Sequence, residues 1–219
     1  MFFRLNVLKQ KGYVPDIILD IGANVGDWTR NVLNIYSYAQ YILFEANEYY
    51  SDLFNYKNIH FHNVVLNEKE VEVDFYNIKG TGDSFCKELS QYYKDCKAEK
   101  RISVSLNYIF RVSNYKIENK RIFIKIDCQG AEIPILKGAN DILDNVDFIL
   151  LEIPLFGQYN LNVLSFINHI KYMELIGFIP YDIVDNHYIN DFNRQIDMLF
   201  INKKHSFNEE VQQKRNLDN

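Results

Sequence analysis

Ile17-Ile18-Leu19-Asp20-Ile21-Gly22-Ala23-Asn24-Val25-Gly26 reads as a strand running into a glycine turn. The apolar run from Ile17 to Ile21 is short, β-branched and bounded by Pro15 and Gly22, as in a parallel strand covered on both faces. Glycines at 22 and 26 let the backbone approach a ligand with no Cβ in the way. Trp28, Val32, Leu33 and Tyr36 then recur at helical spacing, predicting a helix over Asp27 to Tyr36 whose first N–H groups are free for a ligand.

Outward from this unit the same alternation repeats. Tyr41 to Phe44 and Ile59 to Leu66 read as strands, with a short helix predicted over Tyr49 to Asn55 between them. Val71, Val73 and Phe75 alternate with acids, predicting a half-exposed strand. Residues 78–121 are irregular, with a lysine-rich segment from Lys87 to Arg101 that reads as an inserted loop, helix or lid over the sheet edge. Ile122 to Ile126 and Phe148 to Ile153 are buried strands, with a helix predicted from Ile133 to Leu143 between them. A helix over Leu161 to Ile176 and strands at Phe178 to Val184 and Met198 to Ile201 complete the order. Strands alternating with helices imply an α/β sheet with right-handed crossovers. Residues 1–203 read as one domain and 204–219 as a charged, disordered tail.

Open parallel sheets bind ligands beyond the C-terminal ends of their strands. Four acids fall there: Asp20, Glu45, Asp127 and Glu152. Glu45 stands about 20 residues after the turn, where an acid accepts hydrogen bonds from ribose hydroxyls. The turn departs from the dinucleotide pattern G-x-G-x-x-G, having Gly22 and Gly26 with Asn24 between them. Asp20 adds a carboxylate, which repels phosphate and receives a bond, direct or through water, from a cationic amino-acid group. These features favour S-adenosylmethionine over NAD, with Asp20, Gly22, Asn24, Gly26 and Glu45 as cofactor-binding candidates. Asn63, near a strand end, is a candidate for reading the adenine edge.

The composition narrows the partners. With 219 residues, 47% hydrophobic, the chain can bury a full core without metals or disulfides. The net charge of −5 carries no basic footprint for nucleic acid at whole-chain level. Cys86, Cys96 and Cys128 form no C-x-x-C pair, which fits a reducing, cytoplasmic location better than a disulfide scaffold. No apolar run reaches the roughly 18–20 residues of a membrane span, and the apolar start at Met1 to Phe3 is too short for a signal peptide. Self-association is left open.

Asp20-Ile-Gly-Ala-Asn-Val-Gly26, Phe44-Glu45-Ala46-Asn47, Lys125-Ile-Asp127-Cys-Gln-Gly-Ala-Glu132, Leu136-Lys-Gly-Ala139 and Leu151-Glu152 together resemble, in matching order, the FkbM family of methyltransferases. The resemblance runs from about residue 17 to 180. It implies a Rossmann-like class I methyltransferase fold, a mostly parallel seven-stranded sheet with one antiparallel strand near residues 197–201 and helices on both faces. It also implies methyl transfer to oxygen, with glycans and polyketide-type products as the usual acceptors. Two positions depart from the family pattern: Gln129 stands where Glu is usual, and Asn107 where Asp is frequent. Ser84 matches a loop serine that the family often places near the cofactor.

Transfer of a methyl group to an alcohol needs in-line approach and removal of a proton. Asp127 is the first candidate for general base, with Glu152 second. Glu132 is a third, alternatively capping the following helix or holding Lys125. Asp127 and Glu152 with water could hold Mg²⁺, but two acids are few and no metal is assigned. His187, read in a loop between the last two strands, is a candidate substrate contact. His60 and His62 share a strand face, and His169 lies mid-helix. The reading is an O-methyltransferase acting on a sugar hydroxyl of a glycan or its precursor. Its competitors are a catalytically inactive methyltransferase-like binding subunit, to which Gln129 and Asn107 lend weight, and an NAD-dependent oxidoreductase.

Overall fold

The computed structural model describes residues 1–48, 56–155, 160–205, 207 and 213. Helix α1 (Phe2–Gln10) precedes β1 (Ile17–Ile21), α2 (Asp27–Leu33), β2 (Gln40–Glu45) and β3 (Ile59–Asn63). Then come β4 (Val65–Leu66), β5 (Val71–Tyr76), β6 (Ala98–Val104) and α3 (Leu106–Ser113). The chain closes with β7 (Ile122–Ile126), α4 (Glu132–Lys137), β8 (Val146–Pro154), α5 (Phe166–Leu175), β9 (Phe178–Ile189) and β10 (Phe192–Asn202).

Seven strands form the main sheet in the order β3-β2-β1-β7-β8-β10-β9. β10 runs antiparallel to both of its neighbours, and the other pairings are parallel. The strand order turns back between β1 and β7, and at such a switch point the two crossovers leave to opposite sides and open a crevice. The glycine turn after β1 stands at its mouth.

Side-chain alternation divides the core by sheet face. Ile17, Leu19 and Ile21 join Ile42, Phe44, Ile122, Ile124 and Ile126 in a cluster with α3, α4 and Met173 of α5. Ile18 joins Tyr41, Leu43, Phe123, Phe148 and Leu150 in a second cluster with α1 and Val32 of α2. The period of two thus turns one apolar run into two cores.

Several boundaries differ from the sequence expectation. The strand expected over 59–66 breaks at Val64, because β2 ends its pairing at Glu45 with Asn63 and the chain leaves to pair Val65 with Ser103. The segment expected as a loop or helix holds β6 and α3 instead, and β4, β6 and β5 make a second, three-stranded sheet. The helices expected over 27–36, 133–143 and 161–176 are shorter, and α1 was not expected. The expected helix over Tyr49 to Asn55 lies outside the described residues. So does most of the 204–219 tail, although Phe207 is buried against Tyr13 and Phe148. Among the described residues no helix is long and apolar enough to cross a membrane.

Phe148 is the hinge of the second core, its ring touching those of Tyr13, Phe123, Tyr181 and Phe207. Phe148→Ala is expected to cost about 3–5 kcal/mol of unfolding free energy through lost burial and the cavity left behind. Urea denaturation of the two proteins checks this.

Candidate functional site

The crevice beyond β1 and β7 opens into a cavity of about 380 Å³. Gly22 N–H and Ala23 N–H both donate to Phe44 O, at 2.9 and 3.0 Å, which pins the turn to β2. Gly22 has φ +75°, and a Cβ there would stand 1.9 Å from Asp127 O, so the turn and the end of β7 fit together only with glycine at this place. Gly26, at φ 74°, begins α2 from the left-handed region. Asn24 N–H donates to Glu45 Oε2 at 2.8 Å, and Asn47 N–H to Glu45 Oε1 at 2.8 Å. The Glu45 carboxylate therefore ties two loops together at the cavity wall. Burial raises its pKa, and the N–H groups act against that shift.

Asp20 has a different place from the one its sequence position suggests. In the parallel register Asp20 stands beside Lys125. Period two puts both on the α2 face, where Asp20 is fully buried and accepts from Thr29 Oγ1 at 2.6 Å. Lys125 Nζ lies 3.2 Å from Asp20 Oδ1 and donates to Gly22 O at 2.9 Å. Asp20 is not in the cavity lining and acts on the turn through Lys125 and Thr29. Burial works against the Lys125 ammonium, but Asp20 and then Asp127 outweigh it and its pKa ends raised.

Asp127 and Glu152 both line the cavity. Gln129 Nε2 donates to Asp127 Oδ1 at 3.0 Å and to Glu152 Oε2 at 2.9 Å, so one amide bridges the two carboxylates. Burial pushes Glu152 well up, and the carboxylates of Asp127, Glu132 and Asp197 add to the shift. Ser84 also lines the cavity, its hydroxyl donating to Cys128 O at 3.0 Å.

Three expected roles need correction in place, and one departure from the family pattern needs placing. Glu132 is buried below the loop, outside the cavity lining, and its Oε1 accepts from Cys128 N–H at 2.9 Å and Gly130 N–H at 3.1 Å. It holds the loop that carries Gln129 and does not hold Lys125. Asn63 donates to the backbone oxygens of Glu45 and Ala46 and does not line the cavity. Asn107 sits at the start of α3, bonded to Asn140 and Asp141, so its departure from the family pattern lies away from the cavity. His187 lies in β9 and not in a loop, because β9 and β10 form a long hairpin that turns after Ile189. Its Nε2 is 2.7 Å from Asp197 Oδ2, and that hydrogen bond raises its pKa. His60 and His62 do share a face, both against the Tyr115 ring.

Sequence reasoning missed Asn47, Asp83 and Gln195, which line the cavity. Asp83 receives Ile78 N–H, Gly80 N–H and Tyr93 O–H, and Asn47 Nδ2 donates to its Oδ2 at 3.0 Å. The Gly-x-Gly-Asp-Ser run at 80–84 was the available signal, since an Asp there closes a turn on its own backbone. Nothing local marks Gln195, which reaches the site by strand pairing alone.

The lining has a definite sign. Glu45, Asp83, Asp127 and Glu152 border the cavity, and among the described residues no Lys, Arg or His does. Such a wall repels a pyrophosphate and suits a ligand bearing positive charge. The glycine turn, the Glu45 carboxylate and this acidic wall fit S-adenosylmethionine, which carries a sulfonium and an ammonium.

The sheet order with its single antiparallel strand, and the acidic crevice at its switch point, define a class I methyltransferase. Solved structures of methyltransferases are similar to this chain, and one with a TM-score above 0.5 shares its fold. One is 1,6-didemethyltoxoflavin-N1-methyltransferase of Burkholderia thailandensis with bound 1,6-didemethyltoxoflavin and S-adenosylhomocysteine: 9% identity, TM-score 0.51, covering 93% of this chain and 78% of that one. Another is magnesium protoporphyrin IX methyltransferase of Synechocystis PCC 6803 with bound S-adenosylmethionine: 6% identity, TM-score 0.48, covering 92% and 77%. No curated protein matches the sequence. Residues 20–180 match the methyltransferase FkbM domain, and the chain belongs to that family. It is an S-adenosylmethionine-dependent methyltransferase, and the oxidoreductase reading falls.

Burial pushes the Glu132 carboxyl up to about 7 from 4.5, against the N–H bonds that lower it. A folded pKa above the unfolded one means that the neutral acid favours the fold. That stability is full below about pH 4.5 and is lost as pH rises through about 7. Glu132→Gln is expected to flatten the fall in unfolding free energy between pH 5 and 8 by on the order of 3 kcal/mol. Denaturant titrations of both proteins at the two pH values measure it.

Proposed function

We propose that the chain is an O-methyltransferase that methylates a sugar hydroxyl of a glycan or glycan precursor, acting in the cytoplasm. The observation that carries this reading is the pair Asp127 and Glu152, held side by side on the Gln129 amide at the cavity wall. A carboxylate of this kind can serve a hydroxyl acceptor as general base, because the acceptor oxygen must shed a proton as it becomes a nucleophile.

When bound, S-adenosylmethionine supplies a methyl group on a positively charged sulfur. The residues of this chain position it and handle the proton. The turn from Gly22 to Gly26 and the Glu45 carboxylate receive the nucleoside and amino-acid parts. Asp127, with a side chain 37% exposed, is the carboxylate that a hydroxyl can reach, and it takes the acceptor's proton. Glu152 and Gln129 fix the direction of Asp127, and Glu132 fixes the loop beneath them. Gly80, Thr81, Asp83, Ser84 and Phe85 line the cavity, which supports a lid role for that loop of the 78–121 segment. Asn47, Gln129 and Gln195 offer the amides that a polyhydroxyl acceptor would use. The cysteines described are free thiols, which supports the cytoplasmic location.

S-adenosylhomocysteine should bind the purified chain in calorimetry, and nucleotide sugars or glycan acceptors with labelled methyl donor should yield an O-methyl product. Asp127→Asn is expected to lower kcat about 100-fold or more while leaving S-adenosylhomocysteine affinity within about threefold. Near-normal turnover in that variant would remove Asp127 from the mechanism. Cofactor binding without turnover on any hydroxyl acceptor would favour the inactive-subunit reading.

A further inference from the structure

Three strands of the last sheet segment bring three metal-ligating side chains to one point beside the cavity. Asp197 on β10 stands in register with Glu152 on β8. On the other side of β10, His187 of β9 stands in register with Gln195, one of the residues lining the cavity. Gln195 and Asp197 share a face by the period of two, and this draws His187 toward Asp197. One ligand atom from each of Glu152, His187 and Asp197 lies within 4.8 Å of the other two.

The His187–Asp197 spacing is that of adjacent ligands around one cation. Donors at about 2.1 Å from an octahedral ion lie roughly 3 Å apart when adjacent and about 4.2 Å apart when opposite. His187 Nε2 and Asp197 Oδ2 are already 2.7 Å apart. The charge points the same way, since the antiparallel register sets two carboxylates against each other at the buried edge of an acidic cavity. Gln129 holds Glu152 by one oxygen, in the way that outer partners orient metal-binding carboxylates. Asp197 is 7% exposed and His187 42%, so the set has a buried floor and a side open to solvent.

We propose that Glu152, His187 and Asp197 bind one divalent first-row transition metal. An imidazole with two carboxylates suits Mn²⁺, Fe²⁺ or Zn²⁺ better than an all-oxygen site suited to Ca²⁺. Three protein ligands leave positions open on the cavity side, where Glu152 and Gln195 form the wall. Its use in holding an acceptor oxygen rests on the methyl-transfer reading above. The binding itself does not.

The test is titration of Mn²⁺ into the chelator-treated full chain, with free Mn²⁺ read by electron paramagnetic resonance. One equivalent should bind, with affinity about tenfold weaker or worse in His187→Ala and in Asp197→Asn, and unchanged in His62→Ala. If Asp197→Asn fails to fold by circular dichroism, His187→Gln, altered at the more exposed ligand, takes its place. No binding up to millimolar Mn²⁺ overturns the proposal, as does equal affinity in wild type and the ligand variants. Calorimetry with S-adenosylhomocysteine on the same metal-free sample separates the two readings. Cofactor binding without Mn²⁺ binding sinks only the metal site, and Mn²⁺ binding without cofactor binding sinks only the proposed O-methylation.

Discussion

The buried pair of Lys125 and Asp20 is the interaction on which the site depends. Parallel pairing of β1 and β7 sets the two side by side on the α2 face, where Asp20 is wholly out of solvent. Two buried charges are costly to desolvate, and the cost is offset only when their remaining hydrogen bonds are also met. Thr29 supplies one for Asp20, and Gly22 O receives one from Lys125. The pair therefore joins β1, β7, α2 and the glycine turn at a single point. Removing one partner would leave the other charged and buried, which is the expensive case.

From that point the charge of the cavity follows. Lys125 is spent on Asp20, Asp127 and a backbone oxygen behind the wall, so the wall itself is left acidic. Acids so close together would repel one another with nothing between them. Gln129 relieves part of this by giving its two-hydrogen amide to Asp127 and Glu152 at once. At this position a glutamate would add a third carboxylate, while glutamine turns repulsion into two bonds. The departure from the family pattern is thus accommodated by the local geometry. A sulfonium ligand, and a divalent cation at Glu152, His187 and Asp197, would each relieve the same excess of negative charge.

The sequence alone sufficed for the main-sheet strands and the turn between them. Apolar runs separated by helical spacing marked the main-sheet strands, the glycine turn marked the switch point, and Asp127 and Glu152 at strand ends marked the cavity edge. The motif order also carried the family. These features are legible because periodicity, turn chemistry and strand-end acids each sit within a few neighbouring residues. What only the tertiary structure decided is register and facing. Register turned Asp20 away from the cavity toward Lys125, sent Val65 into a second sheet, and brought His187 and Asp197 to Glu152. Those outcomes join residues 10 to 105 positions apart, and hydrogen-bonded strand pairing, not any local preference, sets which of them meet.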